Sequence, residues 1–532
     1  MRKFWSLARV NVVMSFYQLS LMRRRTGKRE GRGFQYGLAA VAVVVVAYMG
    51  FWAWVLSIGL NPIGYEWVIL PVGLLIISAM IFAFGLYTLN SVLFESSDTD
   101  QLFAYPLSKF TIVAGKVGGL VVENWLVSAV FWLPFVAVYG WFAHPGFVFY
   151  LFALVCLLIM PGVPLFAMGL ISFITGVVAS GVRFRRFLSV IVTIGLVAGL
   201  GVAVSRAINH LKLDAIGGDI FAAMQRYYPP IGYATTALAT GSAGAMALAV
   251  VWNVVPFLLL CGLISLTYTY IRSRTQMVAK PKTSRVTYTA ATTSSALLRK
   301  EFARLLASPN YLLNSFVGLI LLWLVAFFVG RIVPQIQTLI SLLRVPGLSV
   351  GMLLLAMFLM LLALTNTTAP SISLEGKSLW VVQSLPLRGV EVLKAKLTMH
   401  VAIIVPGTLV AAIIATITCH LTPGDFWQIV LPCVLFTTIS GCLGLIYNLH
   451  FHRFDFYNDQ QAVKNSASVL LTMGSMLALM LVIELAYLGI SLLTPVNLTL
   501  YWFIWVVLLA AGAVWAYRYV MTKGVALFET LG

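Results

Sequence analysis

Charge is scarce in this chain: Asp, Glu, Lys and Arg make up 10% of its 532 residues, and only 16 are acidic. Soluble domains carry roughly 25% charged residues, so a water-facing shell around one core is excluded. Cysteine is scarce too. Cys156, Cys261, Cys419, Cys433 and Cys442 include no C-x-x-C pair and no metal-ligand spacing, which argues against a disulfide framework or a zinc site. The six His are scattered; His450 and His452 flank Phe451 but have no further Cys or His nearby, so a solvated pair is expected and no metal. A phosphate-cradling loop is also missing. It needs G-x-x-x-x-G-K-[ST], and the residues five before the glycines of Gly27-Lys28, Gly115-Lys116 and Gly376-Lys377 are Met22, Phe110 and Ser371. No polar segment is long enough to hold an ATPase domain.

What is abundant is apolar sequence. Hydrophobic residues are 61% of the chain, gathered into stretches at roughly 36–58, 67–90, 120–141, 146–179, 187–204, 246–270, 311–330, 347–369, 399–419, 427–449, 467–493 and 499–517. Most approach or exceed the ~20 residues that cross a bilayer as a helix. The even-numbered gaps between them hold only Arg206, Lys212, Arg226, Arg331 and Arg344, leaving 30 of the 35 Lys and Arg (35 − 5) in the odd ones. Basic loops stay in the cytoplasm. The expectation is an all-α polytopic membrane protein with about 12 transmembrane helices and both termini cytoplasmic. The first apolar run starts after 35 residues and is long enough to span, so it is expected to act as an uncleaved anchor. The net charge of +19 is then explained by basic loops beside anionic lipid rather than by nucleic acid.

A polar, basic stretch divides the chain into 1–271, a linker at 272–295, and 296–532, with six stretches on each side. Six is even, so both halves enter the membrane in the same direction, as parallel repeats do. A residue-level trace supports the repeat. Glu95, Pro106, Leu107 and Lys116 match Glu375, Pro386, Leu387 and Lys396 at one offset of 280 without a gap. The repeat also favours one Pro-kinked helix over 146–179, containing Pro161 and Pro164. Before the seventh stretch, Leu298, Phe302, Leu305 and Leu306 fall on one helical stripe while Lys300 and Arg304 point away. Such a helix is expected to lie in the membrane interface.

At these residues the chain resembles bacterial ABC-2-type exporter permeases. The phrase Arg299-Lys300-Glu301-Phe302-Ala-Arg304, continuing to Ser308-Pro309-Asn310-Tyr311, looks like the family's entry segment. The acidic-to-Leu-Pro-Leu segments at 95–108 and 375–388 look like its cytoplasmic loop, and Tyr228-Pro229-Pro230 is similar to its extracytoplasmic segment. The resemblance implies an ABC-2-type fold of two six-helix units in a bacterial plasma membrane. It also implies ABC ATPase subunits, in two copies, that bind ATP and Mg and dock underneath; no cofactor is expected in this chain itself. Glu95, Asp98, Asp100, Pro106, Lys116, Glu375, Lys377, Pro386 and Lys396 would then form the ATPase-coupling loops, with Lys300, Glu301, Phe302 and Arg304 on the entry helix and Tyr228, Pro229 and Pro230 in an external cap. The second half has only about five residues, 494–498, where a matching cap belongs.

Each residue also has a bland role. Glu95 and Glu375 are expected to be solvated carboxylates or helix caps if they do not meet the ATPase, so that replacing either leaves the fold intact. Pro106 and Pro386 would stop a short helix, and Lys116 and Lys396 would snorkel to lipid phosphates. Glu484 is the only acidic residue well inside a stretch, where carboxylates face a partner or a wet cavity; Glu123 lies near the end of the third. The main alternative is a proton- or ion-coupled secondary transporter with Glu484 as proton carrier. A membrane-embedded transferase would want clustered acidic or His residues on one face, and Glu66, Asp214, Asp219 and Asp425 are dispersed.

Overall fold

The computed structural model describes residues 30–85, 108–178, 228–276, 292–343, 349–452, 466–493 and 498–531, with residues 89, 105, 195, 224–226, 454 and 462–463 between them. It is helical, with no strand among the described residues. Nine of the described helices are long and apolar enough to cross a membrane, which makes this a multi-pass membrane protein. Two further apolar helices, Glu66–Phe82 and Val350–Ala363, are shorter. The second of these marks where the helix of the eighth stretch ends, short of the full span expected from the sequence; the expected second span, 67–90, runs beyond the described residues. The expected span at 187–204 and the first entry segment lie outside the described residues.

The chain forms two compact units, one of Met1–Tyr36 with Val45–Ala279 and one of Gly37–Val44 with Lys280–Gly532. In the first, helices α1 (Glu30–Leu60), α2 (Ile69–Gly85), α3 (Lys109–Ala143), α4 (Phe147–Ile159), α5 (Gly162–Val178), α6 (Pro229–Thr240) and α7 (Ala243–Gln276) follow in order. Helix α2 packs on α3 and α5, and α7 on α5 and α6. The α5–α7 crossing is close: a Cβ on Gly162 would stand 2.3 Å from the carbonyl oxygen of Asn253. Small residues let helix backbones approach in this way when no hydrophobic effect drives them together.

The stretch at 146–179 runs as α4 and α5, joined by a turn at Met160–Pro161; together they make one candidate span, Phe147–Ile171, as the Pro-kinked reading expects. Pro161 and Pro164 both lack the N–H that would continue the ladder, and Pro164 falls in the first turn of α5, where the missing donor costs nothing.

The second unit contains α8 (Thr293–Ala307), α9 (Pro309–Phe328), α10 (Val333–Leu343), α11 (Val350–Ala363), α12 (Leu379–Ser384), α13 (Gly389–Cys419), α14 (Pro423–His450), α15 (Ala467–Leu493), α16 (Leu498–Tyr519) and α17 (Val525–Glu529). Helix α14 is the central post, packed by α11, α13, α15 and α16. Its N-terminus is closed reciprocally: Thr422 Oγ1 accepts from the Asp425 N–H at 3.2 Å, and Asp425 Oδ2 accepts from the Thr422 N–H at 3.0 Å. Asp425 is thus a helix cap. Ser308 separates α8 from α9; its hydroxyl accepts from the Tyr311 N–H at 3.3 Å, with Pro309 in the first turn.

Candidate functional site

The eighth apolar stretch stops being a helix at Ala363. From Leu364 to Ile372 the chain is irregular, yet every residue is buried. Non-helical backbone at membrane depth persists only where the protein itself satisfies its polar groups, and here neighbouring helices do so. The Tyr311 hydroxyl donates to the Thr367 carbonyl at 2.5 Å, and Thr368 Oγ1 to the Gly441 carbonyl at 2.7 Å. Asn366 Nδ2 donates to the Ser440 carbonyl at 3.1 Å, and its Oδ1 accepts from the Ala369 N–H at 2.7 Å. Helix α14 comes close enough for this because residue 444 is glycine; a Cβ there would sit 2.4 Å from Thr368 Oγ1. His400 on α13 completes the wrapping. Its Nε2 is 3.3 Å from the Thr437 carbonyl, which can only accept, so the proton belongs on Nε2 and Nδ1 accepts from Thr367 Oγ1 at 2.9 Å.

Past the break, a 3-10 segment at Ser373–Ser378 carries Glu375, and its reversal uses Gly376 at φ +53°. The short α12 follows and ends at Ser384. Leu385 is extended (φ −81°, ψ 151°) ahead of Pro386, and α13 begins at Gly389. This is the stop that a proline imposes on the residue before it.

Three segments distant in sequence meet at Glu375. Lys396 of α13, with no exposed surface, puts Nζ 2.9 Å from Glu301 Oε1, 2.8 Å from Glu375 Oε1 and 3.2 Å from the Ser371 carbonyl. Arg304 of α8 grips the other face of Glu375, with Nη1 2.6 Å from Oε1 and Nη2 2.7 Å from Oε2. Lys300 Nζ lies 2.8 Å from Glu375 Oε1. Burial acts to raise the Glu375 pKa, but Lys396, Arg304 and Lys300 outweigh it and hold the carboxyl well below the usual carboxylate range. Burial alone would lower the Arg304 pKa; the bond to Glu375 and the charges of Glu375 and Glu301 raise it instead. The cluster thus gathers three basic side chains, Lys300, Arg304 and Lys396, around two carboxyl groups, Glu301 and Glu375.

This geometry departs from several expectations. Lys300 and Arg304 do not point away from a membrane-lying stripe; they turn inward to Glu375, and α8 packs on α13 through buried Leu297, Glu301 and Leu305. Phe302 is half-buried beside Leu305 and Tyr311, while Leu306 is exposed. Lys396 does not snorkel, and Glu375 is not solvated, being 3% exposed. A stripe of leucines does not reveal that its polar neighbours will be satisfied from another helix; here the desolvation of each charge is offset by a partner at hydrogen-bond distance. Replacing Glu375 consequently does not leave the fold untouched.

The other candidates are dispersed. In the first unit Lys116 is buried, 4% exposed, near the start of α3; Glu123, one to two turns further on, is half-buried. Tyr228 precedes α6, whose first residues are Pro229 and Pro230, with Pro230 buried against the unit. Glu484 is half-buried on α15. Lys377 sits in the 3-10 segment and Pro386 is exposed. Glu95, Asp98, Asp100 and Pro106 lie outside the described residues. His400, Asn366 and Asn448 were not among the expected site residues. Their signal was the polar run Thr365-Asn-Thr-Thr-Ala-Pro-Ser371 at the end of an apolar stretch, which demands donors and acceptors from elsewhere.

Beside the cluster, α12 buries Leu379 and Val382 against Phe528 and Leu531 of the C-terminal segment. Its other side presents Trp380 at 66% exposure, with Val381 and Leu385 also exposed. Nothing in the cluster is a nucleophile poised by a base. Among the described residues no group of His, Cys, Asp and Glu could hold a metal ion. What the arrangement can do is mechanical: it fastens α8, the turn at Glu375 and α13 into one piece beside an outward apolar edge. Compared with models of known families, with curated proteins and with solved structures, the chain matches none.

Proposed function

We propose that this chain is the transmembrane permease subunit of an ABC-type exporter, powered by ATP and Mg bound in a separate ATPase subunit. The observation that carries this reading is the buried cluster Glu301–Lys396–Glu375 with Lys300 and Arg304. It joins the helix before the seventh stretch, the turn after the eighth and the start of the ninth. A push on the exposed edge of α12 would then reach a membrane helix through ion pairs rather than through a floppy loop. In this reading the fold is the ABC-2 type with twelve spans, and the 95–108 segment and Lys116 form the equivalent coupling loop of the first half. Two ATPase copies bind, one per half, and Tyr228–Pro230 belongs to the external cap. The membrane is a bacterial plasma membrane, with both termini cytoplasmic.

The scarcity of charge in the apolar stretches favours an amphipathic, peptide or lipid-like cargo. The chain should co-purify from its native membrane, in mild detergent, with an ATP-binding subunit, and the complex should hydrolyse ATP. Purification without any ATPase, combined with proton-driven uptake that Glu484→Gln abolishes, would instead favour the secondary transporter. Orientation is checked separately: a single Cys at Ser284 should resist an impermeant reagent in intact cells while one at Ser242 reacts.

A further inference from the structure

We infer that Asn448, an uncharged residue on α14, is the positioning residue for Glu375. Asn448 is fully buried, and all four hydrogen-bonding sites of its amide are used. Its Oδ1 accepts from the Ile372 N–H at 2.7 Å and the Ser373 N–H at 3.1 Å. Its Nδ2 donates to Ser373 Oγ at 2.8 Å and to Ser468 Oγ at 3.1 Å. The two N–H groups it takes are the orphan donors at the start of the 3-10 segment, which a residue of the segment itself usually caps. Here the cap comes from another helix. Glu375 follows directly, its N–H donating to the Ile372 carbonyl at 3.0 Å.

The fastening extends further. Ser468 of α15 passes its own hydroxyl proton to the Ala369 carbonyl at 2.8 Å, so α14 and α15 jointly hold both ends of the short stretch 369–373. Asn448 holds the Ile372 and Ser373 amides, and the Glu375 carboxylate two residues on is gripped by Lys396, Arg304 and Lys300. The carboxylate therefore stands where two independent fastenings agree, one of hydrogen bonds from α14 and one of ion pairs from α8 and α13. Loss of the first displaces the second. This deepens the proposed coupling role by adding a residue to the same site, and its test needs neither ATPase nor cargo, so its failure and that of the permease reading are distinguishable.

The test is amide hydrogen exchange on the purified full chain in lipid nanodiscs. Asn448→Ala should speed exchange in residues 370–380 at least tenfold, because two capped amides lose their acceptor. It should also speed exchange in α8, residues 293–307, several-fold, although Asn448 has no hydrogen bond to that helix; α8 is reached through Glu375. In a Glu375→Gln background, where that link is already cut, adding Asn448→Ala should leave α8 unchanged. Asn448→Asp, which keeps both acceptor positions, should restore protection at 372–373. Ser440→Ala, on the same helix and facing the same break but not the capped amides, should leave 370–380 as in the native chain. An α8 response that is absent, or that persists at full size in the Glu375→Gln background, overturns the inference. So does a Ser440→Ala effect on 370–380 equal to that of Asn448→Ala. If Asn448→Ala does not fold, Ser468→Ala carries the test: a rise in 370–380 accompanied by a smaller rise in α8 supports the assignment, and a rise confined to 370–380 or no rise at all overturns it.

Discussion

The two units carry a buried lysine at the same point of the sequence repeat, with different residue types at several matching positions. Lys116 and Lys396 are 280 apart and both buried, and the helices that carry them, α3 from Lys109 and α13 from Gly389, also start 280 apart. Both helices end on a histidine in the left-handed conformation, His144 at φ +44° and His420 at φ +52°. At the same offset, however, Glu301 corresponds to Leu21, His400 to Leu120 and Asn366 to Leu86. At these positions the sequence of the second unit has a carboxylate, a histidine and an asparagine where that of the first has leucines. The buried lysine is common to both units; the carboxylate pair and the hydrogen-bonded break are described in the second.

Breaking the lysines is the strongest way to test that difference. Lys396→Met strands Glu301 and Glu375 in the interior, and leaving a buried charge uncompensated costs about 3–5 kcal/mol. The account expects a poorly folding chain, measured as loss of monodisperse protein in detergent and a large fall in Tm. Lys116→Met should fold better if the sequence difference carries into the interior, since at the 280 offset Glu375 has an acidic counterpart in Glu95 and Glu301 has Leu21. Equal losses would mean that the units are electrostatically alike.

Glu375→Gln is the next largest effect. It weakens three ion pairs at once and should lower Tm by several degrees, whereas Glu375→Gln paired with Arg304→Gln should fall short of the sum of the singles because the two share a contact. Additive losses would show that the cluster is a set of separate contacts.

Trp380→Ser probes function with little effect on stability. The side chain is exposed, so a change within about 0.5 kcal/mol is expected, while ATPase co-purification should fall sharply. Retained co-purification would move the docking surface elsewhere.

The smallest effect is with pH. Glu375 has a folded pKa below its unfolded value, so its contribution to stability is fully present above about pH 4.3 and is lost as pH falls below that toward the folded pKa. Between pH 7 and 5.5 the protection of α8, taken relative to the intrinsic exchange rate at each pH, should therefore hold steady in the native chain. A loosening of α8 across that range that disappears in Glu375→Gln would contradict the low Glu375 pKa.

The all-α, multi-pass membrane class was legible in the sequence because it depends on hydropathy summed over about twenty residues. The local stop at Pro386 was legible too, since a proline restricts its own neighbourhood. What was hidden depends on partners far along the chain. Helical periodicity put Leu298, Phe302 and Leu305 on one face, but the fate of Lys300 and Arg304 was decided by Glu375, 75 and 71 residues away. The eighth stretch reads as a full span because Leu364 and Ala369 are apolar enough to extend the run. The helix in fact stops at Ala363, where Asn366, His400 and Asn448 provide the bonds that a helix would otherwise supply.

The most direct measurement of the central claim is the native mass of the complex extracted from its own membrane. One copy of this chain with two ATPase subunits is expected, because in the proposed reading each half carries its own coupling loop. A chain that travels alone under conditions that preserve its fold, or a stable species with two copies of it, would contradict the account.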